Sequence, residues 1–214
     1  MRKWTLPLAA ASLAALSIGT LHAQGGPMQL PGAVDASRVQ AGTYTVDSAH
    51  SLVGWRVNHF GFNDYFGIFG NVAGTLQIDP ANLAGAKVDV TIPIASVVTA
   101  SAGLTDHLTR AGRDGGNPDF FGPNPAPARF VSTNVELTGG TSANITGDFT
   151  MNGVTKPVVI AAEFTGAGSH PMNQKLNVGF EGRTSIKRSD WNLGGFIPLV
   201  GDQVDLDITI AFDK

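Results

Sequence analysis

The sequence predicts an all-β fold, an antiparallel β-barrel of about eight strands with one short helix. The first observation behind this prediction is a period of two, in which apolar and polar residues alternate along segments such as 175–186. The second is a set of short turn signals between those segments, of which Asn152-Gly153 is the strongest. The third is the recurrence of glycines inside the segments, as at Gly147 and Gly182, where they permit the bends that close a barrel. A two-layer sandwich is the alternative with similar strand spacing.

The first predicted strand covers residues 51–59, where Val53, Trp55 and Val57 share one parity and form a dry face. A glycine- and aromatic-rich corner at 61–70 is predicted next, and a second strand runs from it to Asp79. The remaining strands are predicted at 87–94, 129–137, 143–151, 154–164, 175–186 and 204–212.

Three local signals refine this order. Pro157 has no N–H to donate, so its strand lies at an edge or has only begun to pair there. Residues 96–110 lose the period of two and predict a short helix that Ser101 caps, with Leu104 and Leu108 on one face. Residues 112–128 form a loop rich in glycine and proline, under which Phe120 and Phe121 are expected to tuck.

The N-terminus predicts export. Arg2 and Lys3 precede an apolar stretch, and Ala23 offers a cleavage site, so residues 1–23 are predicted to be a signal peptide rather than a retained anchor. Residues 24–42 are predicted to be a flexible leader, with an ordered arm as the alternative, and the domain is predicted to span residues 43–214. We therefore expect a secreted protein.

The composition excludes several function classes. The chain has 214 residues, no cysteine and a formal net charge of −3. Removing residues 1–23 takes away Arg2 and Lys3 and no acid, so the charge becomes −3 − 2 = −5. A mildly acidic chain without a basic run is a poor candidate for binding nucleic acid.

The candidate catalytic and metal sites are interpreted as structural. Asp47, His50 and Ser51 have the residue types of a nucleophile triad, but an extended chain would hold Asp47 and His50 about 10 Å apart. His50, His59 and His107 could be a metal set, but a straight strand would separate the first two by roughly 30 Å. We therefore predict no metal and no cofactor. His59 shares the parity of Trp55, so it is either a core residue or a contact for a ligand headgroup.

The loop 187–191 combines two cations, an acid and an indole. The structural interpretation is a local Arg188–Asp190 pair with Trp191 covering one barrel end. The functional interpretation is a polar rim that holds a headgroup.

The chain resembles the YceI-like family of secreted bacterial polyisoprenoid-binding proteins over about residue 43 to the C-terminus. The segments that carry the resemblance are Tyr44-Thr-Val-Asp47, His50-Ser51, Val57-Asn-His59, Gly67-Ile-Phe69, Asp106-His-Leu108, Phe120-Phe121 with 127–132, 147–158, 186–191 and 201–206. The resemblance implies a lipocalin-like barrel, a long apolar channel for an isoprenoid tail and a periplasmic location. The chain departs from the family pattern at Gly112–Asn117, which looks inserted, and at 192–198, which is apolar.

We predict a non-catalytic carrier of a polyisoprenoid or similar long-chain lipid, for example an isoprenoid quinone. An eight-stranded barrel can hold one ligand, and each buried methylene of that ligand contributes ~0.8 kcal/mol. The predicted ligand contacts lie on the apolar strand faces and in the two loops; they are Val53, Trp55, Val57, His59, Phe69, Leu76, Ile78, Val90, Ile92, Phe120, Phe121, Phe149, Ile160, Val178, Phe180, Arg188, Trp191 and Ile208.

Two alternatives remain open from the sequence. One is an enzyme that acts on a lipid headgroup through His50, His59 or Asp190. The other is a filled barrel that serves as an interaction module. Transient contact with inner-membrane lipid or redox proteins, and a homodimer, are further expectations.

Overall fold

The computed structural model describes residues 29–214. The predicted signal peptide and residues 24–28 of the predicted leader lie outside the described residues. The described chain forms one α-helix, α1 (Ala102–Thr109), five short 3-10 helices, and the strands β1 (Gly42–Val46), β2 (Leu52–His59), β3 (Asn63–Phe69), β4 (Ala73–Ile78), β5 (Lys87–Ile92), β6 (Val98–Thr99), β7 (Ala128–Gly139), β8 (Ser142–Met151), β9 (Val154–Ser169), β10 (Leu176–Lys187) and β11 (Val200–Asp213).

The strands form one antiparallel sheet that closes on itself, so the predicted barrel is confirmed and the sandwich is wrong. The closed ring runs β1-β4-β5-β7-β8-β9-β10-β11 and returns to β1, where Val46 lies opposite Phe212. The strands β2, β3 and β6 extend this wall, because β2 also pairs with β11, β3 with β2 and β6 with β3. The barrel of the described residues therefore has eight strand positions around its circumference. Three of these positions are each occupied by two separate strands, namely β1 with β2, β4 with β3, and β5 with β6.

The predicted corner at 61–70 is wrong. Residues 63–69 form β3, and the chain reverses in a tight turn at Phe60 and Gly61, both of which have positive φ. Phe66 and Ile68 of this strand are exposed on the outer face, while Phe69 is buried on the inner face. Apolar residues on both faces conceal the period of two, which is why the sequence did not predict a strand here.

The other strand boundaries differ less. β1 is an additional strand, β9 runs five residues past its predicted end, and β11 begins at Val200 instead of 204. Pro157 lies opposite Asp148 of β8, in the part of β9 that precedes its first rung with β10 at Ala161. The missing N–H of Pro157 therefore costs no ladder hydrogen bond on the β10 side, as predicted.

The predicted helix is confirmed as α1. The hydroxyl of Ser101 accepts a hydrogen bond from the N–H of Leu104, which satisfies one of the free donors at the helix start. The described part of the predicted leader lies against the barrel. The N–H of Ala33 donates to the carbonyl of Ala167, and Ala167 donates back to Ala33. Over these residues the chain is the ordered arm that was the alternative.

Side chains fill one end of the barrel, which we call the packed end. Tyr44, Val178 and Phe212 are at most 2% exposed there. The hydroxyl of Tyr44 donates to the carbonyl of Gln40 at 2.8 Å, so its complete burial leaves no polar atom unpaired. The ring of Phe180 lies between those of Phe164 and Phe212, with centroids 5.7 and 6.2 Å away.

Candidate ligand cavity

The opposite end of the barrel, which we call the hollow end, encloses a cavity of about 560 Å³. This volume lies within the usual range of small-molecule sites, roughly 300–1,000 Å³. Side chains from nearly all the strand positions and from α1 line the cavity, and almost all of them are apolar. Phe60, Leu104 and Phe196 line it and are also 41–45% exposed to solvent, so the cavity opens beside them. We call this opening the mouth.

The inner faces of β2 and β11 form one side of the cavity. Val53, Trp55 and Val57 point inward from β2, and alternation along a strand fixes this direction. Their partners across the ladder are Ile208, Leu206 and Val204, which also line the cavity. These two strands give a largely apolar surface, in which the indole N–H of Trp55 is a buried donor without a hydrogen-bond partner among the described residues.

Glycines keep the centre of the hollow end empty. The indole of Trp55 covers Gly67 on the neighbouring strand, where a Cβ would lie only 2.2 Å from a ring carbon. In the same way the ring of Phe130 covers Gly147, where a Cβ would lie 2.4 Å from Cζ. Each glycine thus accepts a large ring against the wall, and the ring does not have to project into the centre. Gly147, which was predicted to permit a bend, therefore also makes room for an aromatic ring.

A cluster around His107 shapes the mouth. His107 Nε2 lies 2.8 Å from Oδ2 of Asp119, and the same oxygen accepts a hydrogen bond from Arg110 at 3.4 Å. The pKa of Asp119 lies below its usual value, chiefly because His107 hydrogen-bonds to it. The His107 ring meets Phe120 and Phe196 edge-on, with centroids 5.3 and 5.9 Å away. These contacts join α1 to two loops and position three cavity-lining rings at the opening.

Arg188 is a buried cation beside the cavity, with 5% of its surface exposed. Its guanidinium donates to the carbonyls of Leu193, Val200 and Gly201 and lies 5.8 Å from the centroid of Phe120. Burial lowers the pKa of Arg188 from its ordinary value, and nearby Asp202 acts in the opposite direction. A guanidinium stays protonated in proteins, so the site contains a positive charge that backbone carbonyls solvate.

The predicted Arg188–Asp190 pair is wrong. Asp190 pairs with Lys156, whose Nζ lies 2.7 Å from its carboxylate. Trp191 is buried behind Phe149 and donates from its indole N–H to the carbonyl of that residue at 3.3 Å. The loop therefore contributes one cavity-lining cation, and the rest of it is structural.

Most of the predicted ligand contacts lie together. Those that line the cavity are Val53, Trp55, Val57, His59, Phe69, Val90, Ile92, Phe120, Phe121, Phe149, Ile160, Arg188 and Ile208. Those that do not are Leu76, Ile78, Val178, Phe180 and Trp191. The first four of this second group face inward as predicted, but at the packed end, where other side chains occupy the interior. Alternation identifies the inner face of a strand and gives no information about which part of that face is hollow.

Several lining residues were not predicted. They are Phe60, Tyr65, Val72, Ile94, Thr99, Leu104, His107, Leu108, Ala128, Phe130, Met151, Val158, Thr184, Ile186, Leu193, Phe196, Val200, Val204, Leu206 and Ile210. The parity of Ile208 already contained the signal for Val204, Leu206 and Ile210. No periodic signal marks Phe60 or Phe196, because both lie in turns with positive φ.

The candidate catalytic residues Asp47, His50 and Ser51 are not joined by a chain of hydrogen bonds from serine to histidine to aspartate. Asp47 and His50 are hydrogen-bonded at 2.8 Å, so the predicted separation of about 10 Å is wrong, because residues 47–50 form a turn. Ser51 is fully buried and bonds to the backbone of Ala211 instead. The His50 side chain is 71% exposed and does not line the cavity. Within residues 29–214 no three His, Asp or Glu side chains come close enough to hold a metal ion.

The comparisons with known proteins agree with this geometry. The YceI-like domain family matches residues 44–212. The chain belongs to this family. A YceI-like relative, a UPF0312 protein of Ectopseudomonas mendocina, is 36% identical over 184 residues, which is 85% of this chain and 92% of that protein. The resemblance predicted from the sequence motifs is thus confirmed.

Two solved structures have a similar fold. The crystal structure of BcnA from Burkholderia cenocepacia matches with a TM-score of 0.63 at 25% identity, covering 78% of this chain and 98% of BcnA. A polyisoprenoid binding domain from Saccharophagus degradans matches with a TM-score of 0.56, covering 79% of this chain and 97% of that domain. Since its identity is 12%, this second likeness concerns the fold alone. No helix within residues 29–214 is long and apolar enough to span a membrane.

Proposed function

We propose that this protein is a periplasmic, non-catalytic carrier that holds a polyisoprenoid or similar long-chain lipid, such as an isoprenoid quinone, in the hollow end of its barrel. The observation that carries the proposal is the apolar cavity of about 560 Å³ with its mouth at Phe60, Leu104 and Phe196. The relative from Saccharophagus degradans, which is named for polyisoprenoid binding, supports the proposal at the level of the fold.

The energetics favour an aliphatic guest. Burying about ten methylene groups contributes about 8 kcal/mol, before the entropic cost of association is subtracted. The lining offers this stabilisation without polar contacts, whereas a polar guest would lose its water and gain few partners. Polar groups in the lining could meet an oxygen-bearing headgroup; they include Arg188, His59 and the indole N–H of Trp55, which has no partner among the described residues. Within the described residues no carboxylate is hydrogen-bonded to His59, which argues against a headgroup enzyme that uses this histidine, and the void argues against the filled barrel.

The test uses a matched pair of variants on β9. Ile160 lines the cavity, and its neighbour Val159 points outward and is 51% exposed. In Ile160→Trp the indole occupies the space of the guest, while Val159→Trp places the same group in solvent. We expect lipid extracts of detergent-free wild type and Val159→Trp to contain a long-chain lipid by mass spectrometry. We expect Ile160→Trp to contain at most one-tenth of that lipid. A tenfold loss of affinity corresponds to about 1.4 kcal/mol of binding free energy.

Equal lipid content in the two variants, or an empty wild-type protein that also fails to bind ubiquinone-10, would overturn the proposal. The same preparation tests the location. If the protein is exported and cleaved after Ala23, its intact mass will be that of a chain that begins at Gln24. A protein that stays in the cytoplasmic fraction with residues 1–23 attached would contradict the periplasmic assignment.

A further inference from the structure

We infer that the mouth of the barrel docks on the surface of a lipid bilayer through a collar of exposed apolar side chains. The collar consists of Phe60, Phe62, Leu104, Phe196, Ile197 and Leu199, each of which is at least 39% exposed. The inference rests on the proposed carrier function and adds the surface at which the guest enters and leaves.

The collar is one structural unit. The N–H of Phe60 donates to the carbonyl of Leu199 at 2.7 Å, which ties the β2–β3 turn to the loop before β11. The N–H of Val200 donates to the carbonyl of Phe196 at 2.8 Å within that loop. The ring of Phe196 also contacts Phe120 and so reaches the α1 side of the mouth. The apolar tips are therefore held in a fixed arrangement around the opening.

The collar is continuous with the cavity. Phe60, Leu104 and Phe196 belong to both surfaces, since they line the cavity and are exposed. Phe62 projects furthest and is 87% exposed at the tip of its turn. A lipid that leaves a bilayer through this opening passes from one apolar surface to another without crossing water. A protein partner seated on the same residues would cover this route to the cavity.

The charge pattern also favours a bilayer. Residues 59–63 and 191–201 contain no Asp, Glu, Lys or Arg. Entry of these two loops into the headgroup region therefore desolvates no ion, and Phe and Leu side chains are suited to the headgroup–acyl boundary. Because the collar has no cationic residues, docking depends on apolar burial and needs no anionic lipid.

The chain provides a matched control at the other end of the barrel. Met172 lies in the loop between β9 and β10, beside the packed end, and is 88% exposed, as Phe62 is 87%. Phe62→Ser and Met172→Ser each remove one fully exposed apolar side chain that does not line the cavity. Leu199→Ser is a second collar variant, and the backbone hydrogen bond of Leu199 is unaffected by it.

The experiment is sedimentation of the chain from Gln24 onward with phosphatidylcholine vesicles. We expect wild type and Met172→Ser to bind the vesicles equally well. Phe62→Ser and Leu199→Ser should bind at least about tenfold more weakly, because each lacks an apolar side chain that the bilayer would bury. Raising the salt concentration to about 1 M should leave binding unchanged, because the two collar loops, residues 59–63 and 191–201, carry no charge to be screened.

Docking on the bilayer and carriage of the lipid are measured in separate assays. Loading with ubiquinone-10 from detergent micelles tests the carrier alone, and the collar variants should load as wild type does. Wild type that loads from micelles but does not bind vesicles overturns the docking inference and leaves the carrier standing. Vesicle binding that vanishes at high salt, or that Met172→Ser weakens as much as Phe62→Ser, also overturns docking. So does a Phe62→Ser effect that proves to be loss of a dimer in sedimentation velocity without vesicles.

Discussion

The packed end and the hollow end of this barrel share the strands β10 and β11, whose inner faces carry different side chains at the two ends. On β11, Phe212 is 2% exposed at the packed end, while Ile208 and Leu206 border a void at the hollow end. On β10, Val178 is buried among neighbours, while Ile186 faces the cavity. Between β10 and β11 the pairing is continuous from Asn177 to Lys187, so on these two strands the difference lies in the side chains and not in a gap in the sheet.

This difference shows which interactions stabilise each end. At the packed end the ring of Phe180 on β10 contacts the rings of Phe164 and Phe212 on the two neighbouring strands. At the hollow end the rings of Trp55 and Phe130 lie against glycines of the wall, and the cavity occupies the centre. A guest in this cavity would add contacts to the side chains that border it, so we expect binding to stabilise the hollow end.

The largest expected effect comes from deleting one ring at each end. Phe212→Ala should destabilise the protein by about 3–5 kcal/mol, because a buried ring leaves a cavity in close packing. Phe149→Ala should cost clearly less, because Phe149 already borders a void, although it also loses its contact with Trp191 at 5.4 Å. Urea unfolding of the lipid-free protein measures both. Equal losses, or a larger loss for Phe149→Ala, would mean that the two ends are packed alike.

The second effect comes from filling the space that a glycine leaves. In Gly67→Ala the new Cβ would lie 2.2 Å from the indole of Trp55, so the ring has to swing toward the centre of the cavity. We expect a loss of about 1–3 kcal/mol and weaker binding of ubiquinone-10. Gly70→Ala is the control, because its Cβ would meet only Leu52 at 3.7 Å, an ordinary contact. If Gly67→Ala kept the stability and binding of wild type, the glycines would not be what keeps the hollow end open.

The sequence predicted the barrel because a period of two survives wherever one strand face is polar. β10 alternates cleanly, and its predicted bounds are within one residue of the structure. β3 failed because Phe66 and Ile68 are exposed on its outer face, so neither parity is polar. The turn 47–50 failed for a related reason, since extended geometry was assumed and Asp47 in fact meets His50.

The candidate site could be predicted only in part. Parity placed Val53 and Ile208 on the inner face, and both line the cavity. It equally placed Val178 and Phe180 on the inner face, although they lie at the packed end. Which level of a barrel is hollow depends on pairs such as Trp55 with Gly67, and these pairs follow from register, which alternation does not encode.

The smallest expected effect concerns an ion network on the outer wall of the hollow end. The carboxylate of Asp205 accepts hydrogen bonds from Ser185, Arg56 and Gln203, at 2.6–2.9 Å. These bonds, with that of Ser185 the largest cause, lower the pKa of Asp205 from 3.8 to about 2. Arg56 also lies 3.7 Å from Asp64 of β3, so the network joins β10, β11, β2 and β3 around the cavity.

Because the folded-state pKa of Asp205 is depressed, its stabilising contribution is complete above the unfolded value of 3.8 and is lost as the pH falls toward about 2. Partial exposure limits this contribution to about 1–2 kcal/mol. Asp205→Asn should therefore be less stable than wild type near neutral pH and should converge with it near pH 2. Asp207→Asn is the control on the same outer face, because the pair of Asp207 with Arg183 is largely exposed.

Hydrogen exchange during acidification compares the two ends directly. The amide of Trp55 on β2 should lose protection before that of Tyr44 on β1, because Trp55 borders the cavity while Tyr44 is completely buried at the packed end. Simultaneous loss of protection would mean that both ends unfold as one unit.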